Sequence, residues 1–262
     1  MVGAATAVGE RSLSVRLANG EGDVAAAQRL RHAIFCAEMG AQPDAGSGGR
    51  DVDPYDMVCD HLLVEDRARP GHPVVGTYRL LRQTVADAHG GFYSAHEFDL
   101  SRVLDQSRRD GVELLELGRS CVDPAYRDAG TIQLLWRGIA DYLQHHAIGY
   151  LFGCGSFPGT DPAEHAEGLS LLAHDYMACA ELRAMASGPD AIALARLPIG
   201  GYDPRLAFRR LPPLIKAYLR VGAEVGDGAC IDRRFNTIDV FVMMPVARIA
   251  SRYAQRFEVA AA

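Results

Sequence analysis

The chain has 262 residues, 48% hydrophobic and 23% charged, which is ordinary globular material with enough apolar content for one substantial core. Its net charge of -6 argues against general nucleic-acid binding, which takes a concentrated excess of Lys and Arg to neutralise phosphates. The N-terminus lacks a charged segment followed by a long apolar one, and no later stretch offers the run of ~18 apolar residues that a membrane span requires.

In chain order, LSVRL (13–17) alternates as a strand, and Asp23 then stands as the cap of VAAAQRLRHAIFCAEMG, whose apolar residues recur at helical spacing until Gly40. QPDAGSGGRDVDPYD (42–56) has loop composition but is dense in carboxylates. CDHLLVED (59–66) and PVVGTYRLLR (73–82) flank the turn ARPGH and predict adjacent antiparallel strands. A polar helix is expected around SRVLDQSRRD within 92–110, followed by a strand over 111–122. A loop holding Arg127 and Gly130 then opens into a helix over 131–146, and YLFGCGS (150–156) returns as a strand. Residues 167–186 read as helix, a Pro- and Gly-rich connector delivers LIKAYLRVGA (214–223), and TIDVFVMMPV (237–246) is a last strand before a terminal helix, ARIASRYAQRF. The expected class is α+β, a single domain over 1–262: a mixed twisted sheet of about six or seven strands with helices on both faces, its core at about 13–160 and a helical C-terminal extension at about 161–262.

Asp51, Asp53 and Asp56 fall within six residues and repel one another unless cations come between them. The cation is a ligand ammonium group, a metal ion, or the guanidinium groups of Arg31, Arg79 and Arg119; a solvated acidic loop is the plain alternative. The D-x-D-x-x-D spacing lacks the glycine and distal Glu of a calcium loop. Six scattered cysteines form no C-x-x-C pair, and no His stands at zinc spacing, so neither a disulfide framework nor a metal site is expected and a reducing cytoplasm fits. Glu116 and Arg119 would face opposite sides of a regular strand, unless a bulge near Gly118 intervenes. Such a bulge also frees a backbone N–H for an oxygen that becomes negative during acyl transfer. Arg127 and Gly130 at a helix start suit a single phosphate, although Asp128 puts a negative charge beside them. Cys121 adjoins this stretch, but no His is fixed beside it, so burial is the plainer role.

Taken together, RLRHAIFCAEMGA (29–41), DVDPYDMVCDHLLV (51–64), VGTYRLLR (75–82), ELGRSCVDPAYR (116–127), LFGCGS (151–156) and PPLIKAYLRVGAEVGDGACIDRRFNTIDVFV (212–242) resemble the bacterial L-ornithine Nα-acyltransferase family over roughly residues 13–255. That family has the GCN5-related N-acetyltransferase fold and is similar also to the acyl-homoserine-lactone synthases. The match to the synthases runs through Arg31, Phe35, the three loop aspartates, Arg79 and the Glu116/Arg119 pair, whereas PPLIKAYLRVGA departs from their pattern.

The resemblance implies an acyltransferase that moves a 3-hydroxyacyl chain from acyl carrier protein to the α-amine of ornithine, giving lyso-ornithine lipid. No cofactor is implied, because the donor is 3-hydroxyacyl-phosphopantetheine on the carrier protein. Glu116, Arg119, Asp51, Asp53, Asp56 and Arg79 are the expected catalytic set. Arg31, Phe35, Ser120, Cys121, Val122, Arg127, Gly130 and Ser156 are the expected substrate-binding residues. Arg209, Arg210, Lys216, Arg233 and Arg234 are candidates to meet an acidic carrier protein. A cytoplasmic location with transient contact at the inner membrane face is expected, and the sequence carries no reading of oligomeric state. The readings left open are the same chemistry on glutamine or another amino acid, an acyl-homoserine-lactone synthase, and a non-catalytic acyl-binding module.

Overall fold

The computed structural model describes residues 11–43 and 46–249. The elements in chain order are β1 (Leu13–Leu17), α1 (Glu21–His32), β2 (Asp60–Asp66), β3 (Val74–Arg82), α2 (Gln83–Ala88), β4 (Phe98–Asp99), α3 (Ser101–Asp110), β5 (Glu113–Val122), α4 (Ala129–Leu143), β6 (Ile148–Pro158) and α5 (Ala166–Asp175). They continue with β7 (Met185–Ala186), β8 (Ala191–Ile192), α6 (Pro204–Arg210), α7 (Pro213–Arg220), β9 (Glu224–Val225), β10 (Ala229–Asp232) and β11 (Thr237–Pro245). A nine-stranded sheet runs β1-β2-β3-β5-β6-β11-β10-β8, with β9 also on β11, and β4 and β7 form a separate pair. The only parallel pair of the main sheet among the described residues is β5 with β6, joined by the crossover helix α4.

Side-chain alternation along the strands divides the core in two. Leu115, Leu151, Val240 and Val242 face α4, α5 and α7. Leu81, Leu114, Phe152 and Phe241 face the opposite side, where Phe92 meets Phe152 edge-on at 4.8 Å and Phe152 stacks on Phe241 at 5.4 Å. Burying each such ring stabilises the fold by roughly 1.5–3 kcal/mol. The same alternation sets Arg79, Glu116, Cys154, Ser156 and Asp239 on that second face, so five polar groups share one side of an otherwise apolar surface.

Several sequence expectations are corrected. Asp23 lies inside the first turn of α1, whose cap is Gly20; its carboxylate instead accepts from Asn19 N–H at 2.7 Å and pairs with Arg16. The helix expected over 167–186 stops at Asp175, because the chain leaves to bond β9: Val225 N–H donates to Tyr176 O and Ala178 N–H to Val225 O. The C-terminal extension supplies the expected final strand, β11, which pairs with β6 along its whole length, and adds the short strands β7 to β10, which were not expected. After Glu38, which ends a π-helical turn (Ala33–Glu38), the chain leaves the helix near Gly40. Of the terminal helix, only 246–249 are described and helical; the rest lies outside the described residues.

Pairing of β5 with β6 runs as far as Glu116↔Phe152. At this point Gly153 is pressed against the neighbouring backbone, and a Cβ there would stand 2.3 Å from Leu117 O. Gly153→Ala therefore has to push the strands apart just where they separate, an overpacking that should cost about 1–3 kcal/mol. The expected result is a lower denaturant midpoint with an unchanged slope; an unshifted midpoint would show that the strands separate without this contact.

Candidate active site

Past Glu116 the β6-facing edge of β5 has no β6 partner, and a cavity of about 120 Å³ lies there. Its wall is set by a bulge. Thr77 pairs with Cys121 and Arg79 with Gly118, so β5 carries two residues opposite Tyr78 alone. The left-handed residue of this irregularity is Arg119, at φ 50°, and not the glycine before it. The extra residue turns Arg119 onto the same side as Glu116, and both line the cavity.

Behind the cavity, three arginines and three aspartates interlock. Arg31 is fully buried and donates from Nε to Asp51 Oδ2 at 2.8 Å, from Nη2 to Asp56 Oδ2 at 2.7 Å, and to the Asp51 carbonyl. Arg79 Nη1 meets Asp53 Oδ1 at 2.6 Å and Asp56 Oδ1 at 3.1 Å. Arg119 Nη2 meets Asp53 Oδ2 at 2.9 Å, and its Nε lies 3.4 Å from Asp51 Oδ2. The set is charge-neutral and nearly dry, with Asp51 6%, Asp53 8% and Asp56 3% exposed. Burial alone would raise Asp53 and Asp56, but the arginines outweigh it and hold both below the usual carboxylate range. The D-P-Y-D run builds this geometry locally. Asp53 caps a 3-10 turn (Pro54–Met57) by accepting from Tyr55 N–H at 2.9 Å, and Asp56 reaches back to the Asp53 N–H.

Glu116 is a different kind of acid. It is 3% exposed, and among the described residues no cation lies within ion-pair distance. It accepts instead from Tyr93 N–H at 2.8 Å, Ser94 N–H at 2.7 Å and the Ser94 hydroxyl. Burial outweighs these hydrogen bonds and pushes its carboxyl above the ordinary range. A carboxylate so held is a stronger base than a solvated one.

Of the other expected site residues, Phe35, Ser120 and Ser156 line the cavity. Phe35 meets Phe235 edge-on at 5.8 Å. Arg31, Asp51, Asp53 and Asp56 stand behind the wall and act on it through Arg79 and Arg119. Cys121 turns the other way to pack on Leu30 and Ile34, and burial pushes its thiol up to about 12, which suits packing and not nucleophilic attack. Val122, half-buried, ends β5 and contributes its carbonyl to Arg127 Nε at 3.0 Å. Arg127 and Gly130 are not brought to the cavity. Arg127 is engaged bidentately by Glu38 at 2.6 Å, and the start of α4 at Gly130 is capped by Asp128, which accepts from Thr131 N–H at 3.0 Å. Cavity residues not anticipated from the sequence include Tyr93, Ser94, Cys154, Asp232, Phe235 and Asp239, whereas Leu214 and Tyr218 belong to the apolar segment 214–223, which the sequence offers, with 167–186, as lining for an acyl tunnel or as plain core. Asp239 had a visible signal, a lone carboxylate at an inward position of the apolar run TIDVFVMM.

Residues 30–137 match the family model for the acetyltransferase (GNAT) domain. The chain is 46% identical, over 92% of its length and 83% of the relative's, to an L-ornithine N(alpha)-acyltransferase from Rhizobium meliloti. It is 40% identical to the protein of that name from Rhodobacter capsulatus, over 93% of this chain and 94% of the relative. Among solved structures, FeeM, an N-acyl amino acid synthase from uncultured soil microbes, superposes with a TM-score of 0.49 at 13% identity, covering 93% of this chain and 96% of that one.

Proposed function

Because the chain belongs to the L-ornithine Nα-acyltransferase family, we propose that it transfers a 3-hydroxyacyl group from the phosphopantetheine thioester of acyl carrier protein to the α-amine of ornithine. The observation that carries the residue assignment is Glu116: a buried carboxylate with no ion-pair partner among the described residues, in one cavity with Arg119, at the point where β5 and β6 part.

The nitrogen attacks the thioester carbonyl, the C–N bond forms, and the carbonyl oxygen takes up negative charge. A model α-amine has a pKa near ~8, so a single base in contact with it suffices. Glu116 receives that proton, directly or through one water. The unpaired N–H edge of β5 around Ser120–Val122 faces the oxyanion, an interaction that is worth about 3 kcal/mol per donor in related acyl transfers. On collapse the C–S bond breaks and Glu116, directly or through the same water, returns the amine's proton to the departing sulfur, so that the thiol leaves and the carboxylate is restored. Arg119, fixed by Asp51 and Asp53, presents its charge to the acceptor's carboxylate. The acyl chain is taken by the apolar side of the cavity, Phe35, Met39, Leu214 and Tyr218, the last two from α7. The leucines of α5 pack in the core and line no part of this cavity.

Arg209, Arg210, Lys216, Arg233 and Arg234 remain the candidates to meet the carrier protein; Arg210 and Arg233 are exposed and loosely paired with Glu167 and Asp190. Among the described residues no helix is long and apolar enough to cross a membrane; the amphiphilic character of the proposed product supports a reading of transient contact with the inner membrane face.

Purified protein incubated with 3-hydroxyacyl carrier protein and single amino acids should give N-acyl-ornithine by mass spectrometry. Product with glutamine alone would keep the chemistry and discard ornithine. Absence of product with every amino acid would sink the enzymatic reading.

A further inference from the structure

The cavity has a second acidic wall that proton transfer does not use. Asp239, from β11, is 7% exposed and lines the cavity, and its Oδ1 has no hydrogen-bond partner. The Glu97 carboxylate, Cys154 Sγ and the Asp239 carboxylate lie within 4.8 Å of one another, and Asp232 lines the cavity at the end of β10. Among the described residues no Arg, Lys or His forms an ion pair with Glu97 or Asp239. The guanidinium charge of Arg119 acts on Asp239, but it is already engaged by Asp51 and Asp53. Burial and the neighbouring carboxylates push Glu97 and Asp239 above the ordinary range. A buried carboxylate oxygen without a partner is costly unless a ligand supplies one.

This wall is continuous with Glu116. The Ser94 hydroxyl donates to Glu116 and lies 3.5 Å from Cys154 Sγ, which donates to Glu97 at 3.6 Å. A ligand whose reacting nitrogen sits at Glu116 therefore directs its far end along the wall to Asp239. Resting on the acyl-transfer reading above, we propose that Asp239, backed by Glu97 and flanked by Asp232, binds the side-chain ammonium of the acceptor and so selects a diamino acid over neutral ones. A metal ion fits the set less well. Cys154 is held as a neutral thiol by burial and by Glu97, whereas a metal takes the thiolate; an ammonium group asks only for oxygen acceptors.

The test uses the full chain with a fixed 3-hydroxyacyl carrier-protein donor, and compares ornithine with norvaline, which has the same carbon skeleton without the terminal amine. Wild type should favour ornithine, and Asp239→Asn should shrink the ornithine-to-norvaline ratio of kcat/KM by roughly 10- to 100-fold, the scale of a lost hydrogen bond to a charged group, mainly through KM for ornithine. Should Asp239→Asn not fold, Asp239→Ser carries the same comparison. An unchanged ratio overturns the proposal. Loss of ornithine preference on chelation, restored by Zn²⁺ or Mg²⁺, overturns it in favour of a metal. If wild type turns over no amino acid, the acyl-transfer reading fails separately. Calorimetric titration of ornithine and norvaline into both proteins then decides the subsite, since equal binding of the two by wild type overturns it.

Discussion

Glu116→Gln should lower kcat for N-acyl-ornithine formation by roughly 10²–10⁴-fold, the usual contribution of a positioned general base. The substitution keeps the volume of the side chain and one acceptor oxygen, but it removes the site of proton uptake. It also sets an amide N–H₂ against one of the two backbone donors, Tyr93 N–H or Ser94 N–H, that now converge on the carboxylate. KM for ornithine should change little, because the contacts proposed for its carboxylate and side chain lie on Arg119 and Asp239. In wild type the rate should rise with pH as Glu116 ionises, and that limb should lie above the ordinary Glu value of about 4.3 because burial disfavours the charged form. The residual activity of the variant should lack that limb. A Glu116→Gln enzyme with near-normal kcat would remove Glu116 as the base.

Asp56→Asn should destabilise the fold by about 3–5 kcal/mol, the cost of leaving buried charges without their partner. For a chain of this size, that corresponds to a melting temperature lower by roughly 6–20 °C. Asp56 is 3% exposed and holds both Arg31 and Arg79, so neither guanidinium can turn to water when the carboxylate charge is removed. The folded-state pKa of Asp56 is depressed below that of the unfolded chain. Its contribution is therefore fully present above the unfolded value of about 3.9 and is lost as pH falls through the lower folded value. The gap between variant and wild type should accordingly be constant near neutrality and close only in strong acid. Equal melting temperatures at pH 7 would show that the arginines find other partners.

The long strands and α4 were legible because apolar alternation and helical spacing are local signals. The short strands β8 to β10 were not, since two to four residues carry no period and their pairing is decided elsewhere, β9 and β10 on β11 and β8 on β10. The acidic loop was legible as an electrostatic problem, three carboxylates without room. Whether arginines or a ligand solved it depends on β3 and β5 being neighbours, which is a fact of tertiary structure. DPYD does carry a capping signature, an Asp before Pro with a second Asp three residues on, and it reads as loop only if the search for such boxes stops at Ser and Thr. Glu116 and Arg119 share a face through a bulge that Gly118 announced but Arg119 adopts. Asp239 was visible as the lone charge of its apolar run, but its place at the cavity was not, because that follows from the pairing of β11 with β6.

The neutral set of Arg31, Arg79, Arg119, Asp51, Asp53 and Asp56 has a consequence for descent. Six codons spread over nearly ninety positions form one heritable unit, because losing any one of them strands a charge in the interior. A lineage that explores new acceptors can vary the cavity's far wall one residue at a time, but it can leave this cluster only by changes that cancel in charge. The acceptor end is free to drift, while the scaffold that aims Arg119 is locked in place by its own arithmetic.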